Sequence, residues 1–458
     1  MASEKRYIAP ATHPVTGTLT VPGGKSAGIR ALLLAAFSEG ISHLEGIPVS
    51  RDLLDAQNAL EALGAYIHDE KMGKYIEGFG AFPPKENGIV PVGNSGATAR
   101  FLTAFLSLCY CGEWTITSGE QLSKRPIMPL IDALWRWGAD IHLLENPNGF
   151  PIHVIGKHLQ GKLVTVSAKE SSQFASALLM AAPLAAGETI VAVYDADPEE
   201  AYFTLTMRMM RLFGTEIEEI TGDDVKKYIE VADRNVRIFR IVKANYHGTR
   251  CIIPADANTA NYFFAAAALT GGSVSVSNLN RLDETPGVQF VDVFARMGCK
   301  VSGIILDGIT VSGMENIEGL RIKGARLQGG FELDMCKMAE SAPTLAVMAC
   351  FADAPVTMRG LAHIRGHETD RLAALAALLP ALGAGVEEYS DGLTIIPQGK
   401  SVLPDKPIQI DPRDDHRLAM AFAVGGFASA GVEMLNPQCV SKTFPDFYER
   451  LIKTIELS

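Results

Sequence analysis

The sequence is short of cationic side chains: 41 Lys and Arg face 52 Asp and Glu, for a formal charge of −11. An acidic body argues against general nucleic-acid binding, so any anion site must be a local pocket. Cysteines are few and scattered, at Cys109, Cys111, Cys251, Cys299, Cys336, Cys350 and Cys439, and only the first two lie close together. No second pair completes a zinc site, and the odd set suits reduced thiols in a cytoplasmic protein rather than a disulfide framework. Long apolar runs are missing too. Met1–Pro14 has no apolar stretch of the signal-peptide kind, so no export is expected. Leu418–Val432, the least charged stretch, is broken by glycines and a serine beside His416-Arg417. It suits a buried helix and not a membrane span.

What remains is an ordinary globular composition, 47% apolar and 20% charged, over 458 residues. That length suggests two or three domains. Two kinds of segment recur. The first is an Ala-rich helix followed by a small-residue turn and an alternating strand. It covers Ala31–Gly40 then Ile41–Gly46, Thr98–Gly112 then Glu113–Ser118, and Ser172–Gly187 then Glu188–Tyr194. It returns as Thr259–Gly272 with Ser273–Asn278, Pro343–Asp353 with Ala354–Gly360, and His416–Gly431 with Val432–Asn436. The second is an amphipathic helix ending in glycine, at Gly64, Gly138, Gly214, Gly298 and Gly383, each followed by a short strand. Glycine there supplies the left-handed residue of a helix C-cap. Pro445–Leu457 reads as the sixth such helix. The period is roughly 75–85 residues, which suits a βαβαββ module repeated six times rather than a solenoid. The Ala-rich helices lack a polar face and are expected to be buried. The fold class expected is α/β (α+β), with two domains of three modules each. The expected first domain spans 22–252 and the second 1–21 plus 253–458, with crossovers near 21 and 250.

Polar residues gather where the Ala-rich helices start. Val21-Pro22-Gly23-Gly24-Lys25-Ser26-Ala27-Gly28-Ile29-Arg30 runs from a strand-like stretch into the first helix. Glycines let the backbone approach a ligand, and a helix N-terminus offers free N–H groups and a positive dipole end. Lys25, Ser26 and Arg30 add two charges and a hydroxyl, which makes an anion site. The Walker spacing is absent. Gly93–Arg100, Ser171-Ser172-Gln173, Asp256-Ala257-Asn258, Glu340-Ser341 and Asp414–Arg417 open the other five helices. Lys124-Arg125-Pro126, His363–Arg371 and Ser441-Lys442-Thr443 lie between repeats. Helix capping explains Ser, Asp and Asn at these places. It does not explain Arg or Lys, which the dipole disfavours there.

Taken together and in order, these segments resemble the EPSP synthase family of enolpyruvyl transferases over essentially the whole chain. The resemblance rests on Pro22–Arg30, Gly93–Arg100, Arg125-Pro126, Ser171–Phe174, Asp256–Phe263, Glu368–Arg371, Asp415–Met420 and Lys442–Asp446. It implies a two-domain inside-out αβ barrel that closes on phosphoenolpyruvate and shikimate 3-phosphate, transfers the enolpyruvyl group to the 5-hydroxyl and releases phosphate. It also implies the site residues. Phosphoenolpyruvate would meet Lys25, Gly96, Arg125, Gln173, Arg371, Arg417 and Lys442. Shikimate 3-phosphate would meet Lys25, Ser26, Arg30, Ser171, Ser172, Gln173, Tyr202, Glu340 and His367. Glu368 would deliver the proton to the methylene carbon with Lys25 assisting, and Glu340 would act as the base. No cofactor, metal, nucleic acid or membrane is implied, and the chain is expected to act as a monomer. Gly96 further implies inhibition by glyphosate in competition with phosphoenolpyruvate.

The chain departs from the family pattern at five places. Glu340 stands for the usual Asp and His367 for the usual Lys, as in an actinobacterial branch. Ala97 replaces Thr and Gly24 replaces Ser. Glu199 replaces a Ser that touches the substrate phosphate, and a carboxylate there is repulsive. That implies a shifted loop or a different phosphorylated acceptor. The cell-wall enolpyruvyl transferase that acts on UDP-N-acetylglucosamine is disfavoured, because Gly119–Arg125 carries no Cys. A non-catalytic anion-binding relative would not need Lys25, Glu368, Arg371 and Lys442 together.

Overall fold

The computed structural model describes residues 5–71, 73–196, 201–229, 235–281, 285–303, 308–313, 327–398 and 406–456. The chain divides into two compact units, a continuous one of Gly23–Ile253 and a split one of Met1–Pro22 with Pro254–Ser458. Among the described residues each unit holds three sheets. The βαβαββ module shows in the sheet of Asn87–Pro91, Glu113–Thr117, Ile152–Ile155 and Asp140–Leu143. Its first two strands run parallel on either side of the helix Gly96–Leu108, and the last two add antiparallel.

Hydrophobicity explains why the helices lie inside and the strands outside. Leu32, Leu33 and Leu34 are consecutive in the helix Lys25–Ala36, so they point to three sides of it, and all three are fully buried. Each such leucine contributes about 1.5–3 kcal/mol through burial. Strands alternate instead. In Val432–Leu435 the residues Val432 and Met434 are buried and their neighbours partly exposed, which gives each sheet one inner face. The five glycines that end the amphipathic helices all have positive φ, between +78° and +110°.

Local pattern misplaced some boundaries. The first Ala-rich helix was expected from Ala31 but begins at Lys25, with Gly28 N–H already bonded to Gly24 O at 2.9 Å. It ends at Ala36, where the strand Ser38–Glu45 takes over. The last helix starts at Phe447, and Leu457 lies outside the described residues.

Three sheets are completed by strands distant in sequence. Gly17–Leu19 pairs parallel with Ser273–Val276. Tyr246–His247 and Arg250–Ile252 pair parallel with Ser38–Glu45. Lys5–Ile8 pairs antiparallel with Val432–Leu435 and makes, with Ile408–Ile410, a sheet of three described strands rather than four. Gly23 marks the crossover. A Cβ on it would stand 2.3 Å from Gly46 O and 2.8 Å from the Ile253 side chain, so only glycine lets these backbones meet.

Candidate active site

In the continuous unit four helix starts carry the polar groups, and two buried guanidinium groups, of Arg30 and Arg100, lie among them. Lys25 is the first residue of its helix, and its Nζ lies 2.9 Å from Asp52 Oδ2. Asp52 sits in the first turn of Arg51–Ala62, where Ser50 caps the helix through Leu53 N–H. Arg30 is buried one turn after Ser26. It donates to Thr206 Oγ1 at 2.8 Å, Ser26 O at 3.1 Å and Ser176 Oγ at 3.2 Å, with the rings of Phe101 and Tyr202 nearby. Arg100 donates to Gln173 Oε1 at 2.6 Å and Pro126 O at 2.8 Å. Ser171 caps the helix Ser172–Ala181 through Gln173 N–H at 3.3 Å, and Ser172 opens it.

Gly96 stands between two of these cations. A Cβ there would lie 3.2 Å from Arg125 Nη1 and 3.3 Å from Arg100 Nη1. Glycine thus lets two guanidinium groups approach a helix start whose N-cap makes no side-chain hydrogen bond. That is the equipment of an anion site.

The split unit brings its predicted residues into one charge cluster. Arg371, the first residue of Arg371–Leu378, is buried among three carboxylates. Its Nε donates to Asp415 Oδ2 at 2.7 Å, Nη2 to Glu368 Oε2 at 2.8 Å and Nη1 to Glu340 Oε2 at 3.1 Å. Arg417 pairs with Glu340 through Nε, and Lys442 Nζ lies 3.3 Å from Glu368 Oε1. His367 Nδ1 is 3.0 Å from Arg371 Nη1 and 3.6 Å from Glu340 Oε1.

The electrostatics of this cluster are set by burial and by these neighbours. Burial alone would raise the Glu340 carboxyl. Arg417, Arg371 and His367 together outweigh burial and the repulsion from Glu368, and hold Glu340 well below the usual carboxylate range. Burial would lower Arg371, but Asp415, Glu340 and Glu368 hold it well above its ordinary value. Burial raises the Tyr262 hydroxyl to about 12 against the pull of Arg417 and Arg371.

Several participants carried no assigned role in the sequence. Asp52 gives no local signal, since its partner Lys25 lies in another helix. Arg100 and Asp415 fall inside motifs but show their tasks only in space. Arg365 also lies in a quoted cluster. It donates to both oxygens of Asp370, to Glu388, to Tyr389 O and to Ser390 O, and so clamps the loop that carries His367 and Glu368. Glu199 lies outside the described residues. Among the described residues no group of three His, Cys, Asp or Glu side chains is placed to hold a metal, and no helix is long and apolar enough to cross a membrane.

Comparisons with known proteins agree on one kinship. The family model described as EPSP synthase (3-phosphoshikimate 1-carboxyvinyltransferase) matches residues 10–451. A protein of Halalkalibacterium halodurans named 3-phosphoshikimate 1-carboxyvinyltransferase 2 is 34% identical over 445 residues, 97% of this chain and 93% of its own length. A 3-phosphoshikimate 1-carboxyvinyltransferase of Yersinia pseudotuberculosis is 35% identical over 451 residues, 97% of each chain. Among solved structures, an EPSP synthase from Acinetobacter baumannii superposes with a TM-score of 0.76 at 26% identity, covering 98% of this chain and 97% of that one.

Proposed function

The chain belongs to the EPSP synthase family, and from that premise we propose how its residues divide the reaction. It transfers the enolpyruvyl group of phosphoenolpyruvate to the 5-hydroxyl of shikimate 3-phosphate, giving EPSP and phosphate, a step of aromatic amino acid biosynthesis. The continuous unit supplies mainly the shikimate 3-phosphate contacts: Lys25, Ser26, Arg30, Ser171, Ser172, Gln173 and Tyr202, joined by Glu340 and His367. The split unit supplies mainly phosphoenolpyruvate contacts: Arg371, Arg417 and Lys442, joined by Lys25, Gly96, Arg125 and Gln173. The observation that carries this reading is Arg371 held at once by Glu340, Glu368 and Asp415. One guanidinium there organises both carboxylates that the chemistry needs.

Glu368 delivers a proton to the methylene carbon with Lys25 assisting, as the substrate hydroxyl adds to C2 and gives its proton to Glu340. The Glu368 carboxylate then takes a proton back from the new methyl group as the C–O bond to phosphate breaks, which restores the double bond and releases phosphate. The surrounding cations stabilise the charge that develops. In the free protein Glu340 is a weak base because Arg417 and Arg371 grip it. Bound phosphoenolpyruvate draws on the same guanidinium groups and returns basicity to Glu340. The acid limb of kcat/KM is therefore expected at lower pH than that of kcat. Coincident limbs would remove this step.

Purified protein given both substrates is expected to release phosphate, and Lys25→Ala to abolish the release. An equal rate from Lys25→Ala would overturn its assignment. Glyphosate is expected to compete with phosphoenolpyruvate, and activity unchanged by millimolar glyphosate would count against the Gly96 placement. Action as a monomer in the cytoplasm, on small substrates alone, completes the reading; a dimer on gel filtration would correct it.

A further inference from the structure

We propose that Asn258, Asn261 and Ser341 are positioning residues, a buried amide–hydroxyl triad that fixes where the Glu340 carboxylate stands. Asn258 and Asn261 lie one turn apart on the helix Ala257–Thr270, whose other residues are almost all apolar, and both are buried. An amide in such a helix is costly unless its hydrogen bonds are made, and three of the four amide atoms find partners while Asn261 Oδ1 does not. Asn261 Nδ2 donates to Ser341 Oγ at 3.0 Å and to Gly287 O at 3.4 Å. Asn258 Nδ2 donates to Pro286 O at 3.1 Å, and Ser341 Oγ donates to Asn258 Oδ1 at 3.0 Å. Both backbone carbonyls demand an N–H, so the orientation of each amide is fixed by its partners. The hydroxyl gives one hydrogen bond and receives one.

Two details separate this triad from ordinary packing. Ser341 precedes the helix Ala342–Ala349, where a serine usually caps its own helix. It makes no such bond and turns its hydroxyl to the neighbouring helix instead. Gly287 has φ +89°, and a Cβ on it would fall 2.4 Å from Asn258 Oδ1. The chain thus gives up a cap and holds a glycine in the left-handed region at the place where the triad closes.

Glu340 immediately precedes Ser341, at the end of a short turn kinked at Met338. The charged groups that face it are Arg371, Arg417 and His367, with Glu368 as the like charge. Arg371 is anchored separately by Asp415. Arg371 and Arg417 grip the carboxylate itself, and the Ser341 hydroxyl, bonded to Asn258 and Asn261, ties the backbone beside it to the helix Ala257–Thr270. A catalytic group misplaced by about 1 Å can lose roughly 100-fold in rate.

The inference rests on Glu340 taking the hydroxyl proton, and its test keeps the two claims apart. Ser341→Ala is expected to fold, to lower kcat roughly 10-fold, and to leave the KM for phosphoenolpyruvate within about twofold of the parent. Its acid limb should move to higher pH, because Glu340 loosens from the guanidinium groups. Ser341→Thr, which restores the hydroxyl, should recover both. Unchanged kcat and acid limb in a folded Ser341→Ala overturn the proposal. A rate loss with no shift of the limb, shared by Ser341→Thr, shows a merely structural role and also overturns it. Should Ser341→Ala fail to fold, Ser341→Cys keeps the volume, weakens both hydrogen bonds and carries the same expectation. Failure of both to fold assigns the triad to folding alone. Glu340→Gln is the control. If it retains parental kcat, the role of Glu340 itself fails; if it is inactive while Ser341→Ala is unaffected, only the positioning role fails.

Discussion

In the continuous unit the helices Lys25–Ala36 and Gly96–Leu108 begin behind Gly24 and Ser95 with no side-chain cap hydrogen bond. In the split unit Asp256, Asp370 and Asp415 each cap a helix through a carboxylate. The cations differ in the same way. Arg30 and Arg100 donate to hydroxyl, amide and backbone oxygens. Arg371, Arg417 and Lys442 are paired with carboxylates. A guanidinium on hydroxyl and carbonyl oxygens holds its neighbours by hydrogen bonds, as Arg30 and Arg100 do, while Lys25 of the same unit faces the Asp52 carboxylate. One among carboxylates is nearly balanced, and its work is to hold acids and bases in place. The difference teaches that one family of repeats serves two electrostatic tasks by changing what sits at the helix start.

The largest effect that would sharpen this contrast is kinetic. Glu368→Gln removes the proposed proton donor and is expected to lower kcat by roughly 10²–10⁴-fold while both substrates still bind. Steady-state kinetics would read it, and a loss confined to KM would reassign Glu368 to binding. Arg371→Met comes next. It leaves Asp415 buried without its guanidinium, so a loss of about 3–5 kcal/mol in urea unfolding is expected. Arg30→Met removes the hydrogen bonds to Thr206, Ser176 and Ser26 O and should cost about 1–3 kcal/mol, with a raised KM for shikimate 3-phosphate. Equal losses from the two variants would break the comparison.

Much of this was legible in the sequence, because repeats announce themselves. The six Ala-rich helices and the five glycines at helix ends follow from local spacing, and so do the motifs that seed the site. The strand Lys5–Ile8 was not legible, since its partner Val432–Leu435 lies at the other end of the chain and local pattern says nothing of that register. The start of the first helix was missed for a related reason. Gly24 and Lys25 read as the approach to a helix from Ala31 that makes an anion site, whereas the helix itself already includes Lys25. Asp52, Arg365 and the Asn258–Ser341 bond escaped because each acts on a residue in another element.

A smaller effect concerns pH. The folded Glu340 carboxyl lies well below the unfolded carboxylate value of about 4.3. Its contribution to stability is therefore present above about pH 4.3 and is lost as pH falls through the folded value. Glu340→Gln is expected to be less stable at neutral pH and to show a flatter decline below about pH 4.3. Denaturant unfolding across that range would measure both, and curves that stay parallel to pH 3 would show that the guanidinium groups do not grip Glu340.

The smallest effect tests a helix start that belongs to both classes. Ser171 caps Ser172–Ala181 through Gln173 N–H, yet it sits in the continuous unit and is assigned to shikimate 3-phosphate. A cap alone predicts that Ser171→Ala costs about 1 kcal/mol, a fall of roughly 2–4 °C in the melting temperature of a unit this size. A ligand contact alone predicts an unchanged melting temperature and a higher KM for shikimate 3-phosphate. The cap bond is long, at 3.3 Å, and uses only a lone pair of the hydroxyl oxygen, so the same hydroxyl can donate its proton to a substrate oxygen. The expected outcome is thus a melting shift below the full cap value together with a raised KM. A full cap loss at unchanged KM would move Ser171 to the class of Asp256 and Asp415, and would leave Gly24 and Ser95 as the helix starts reserved for anions.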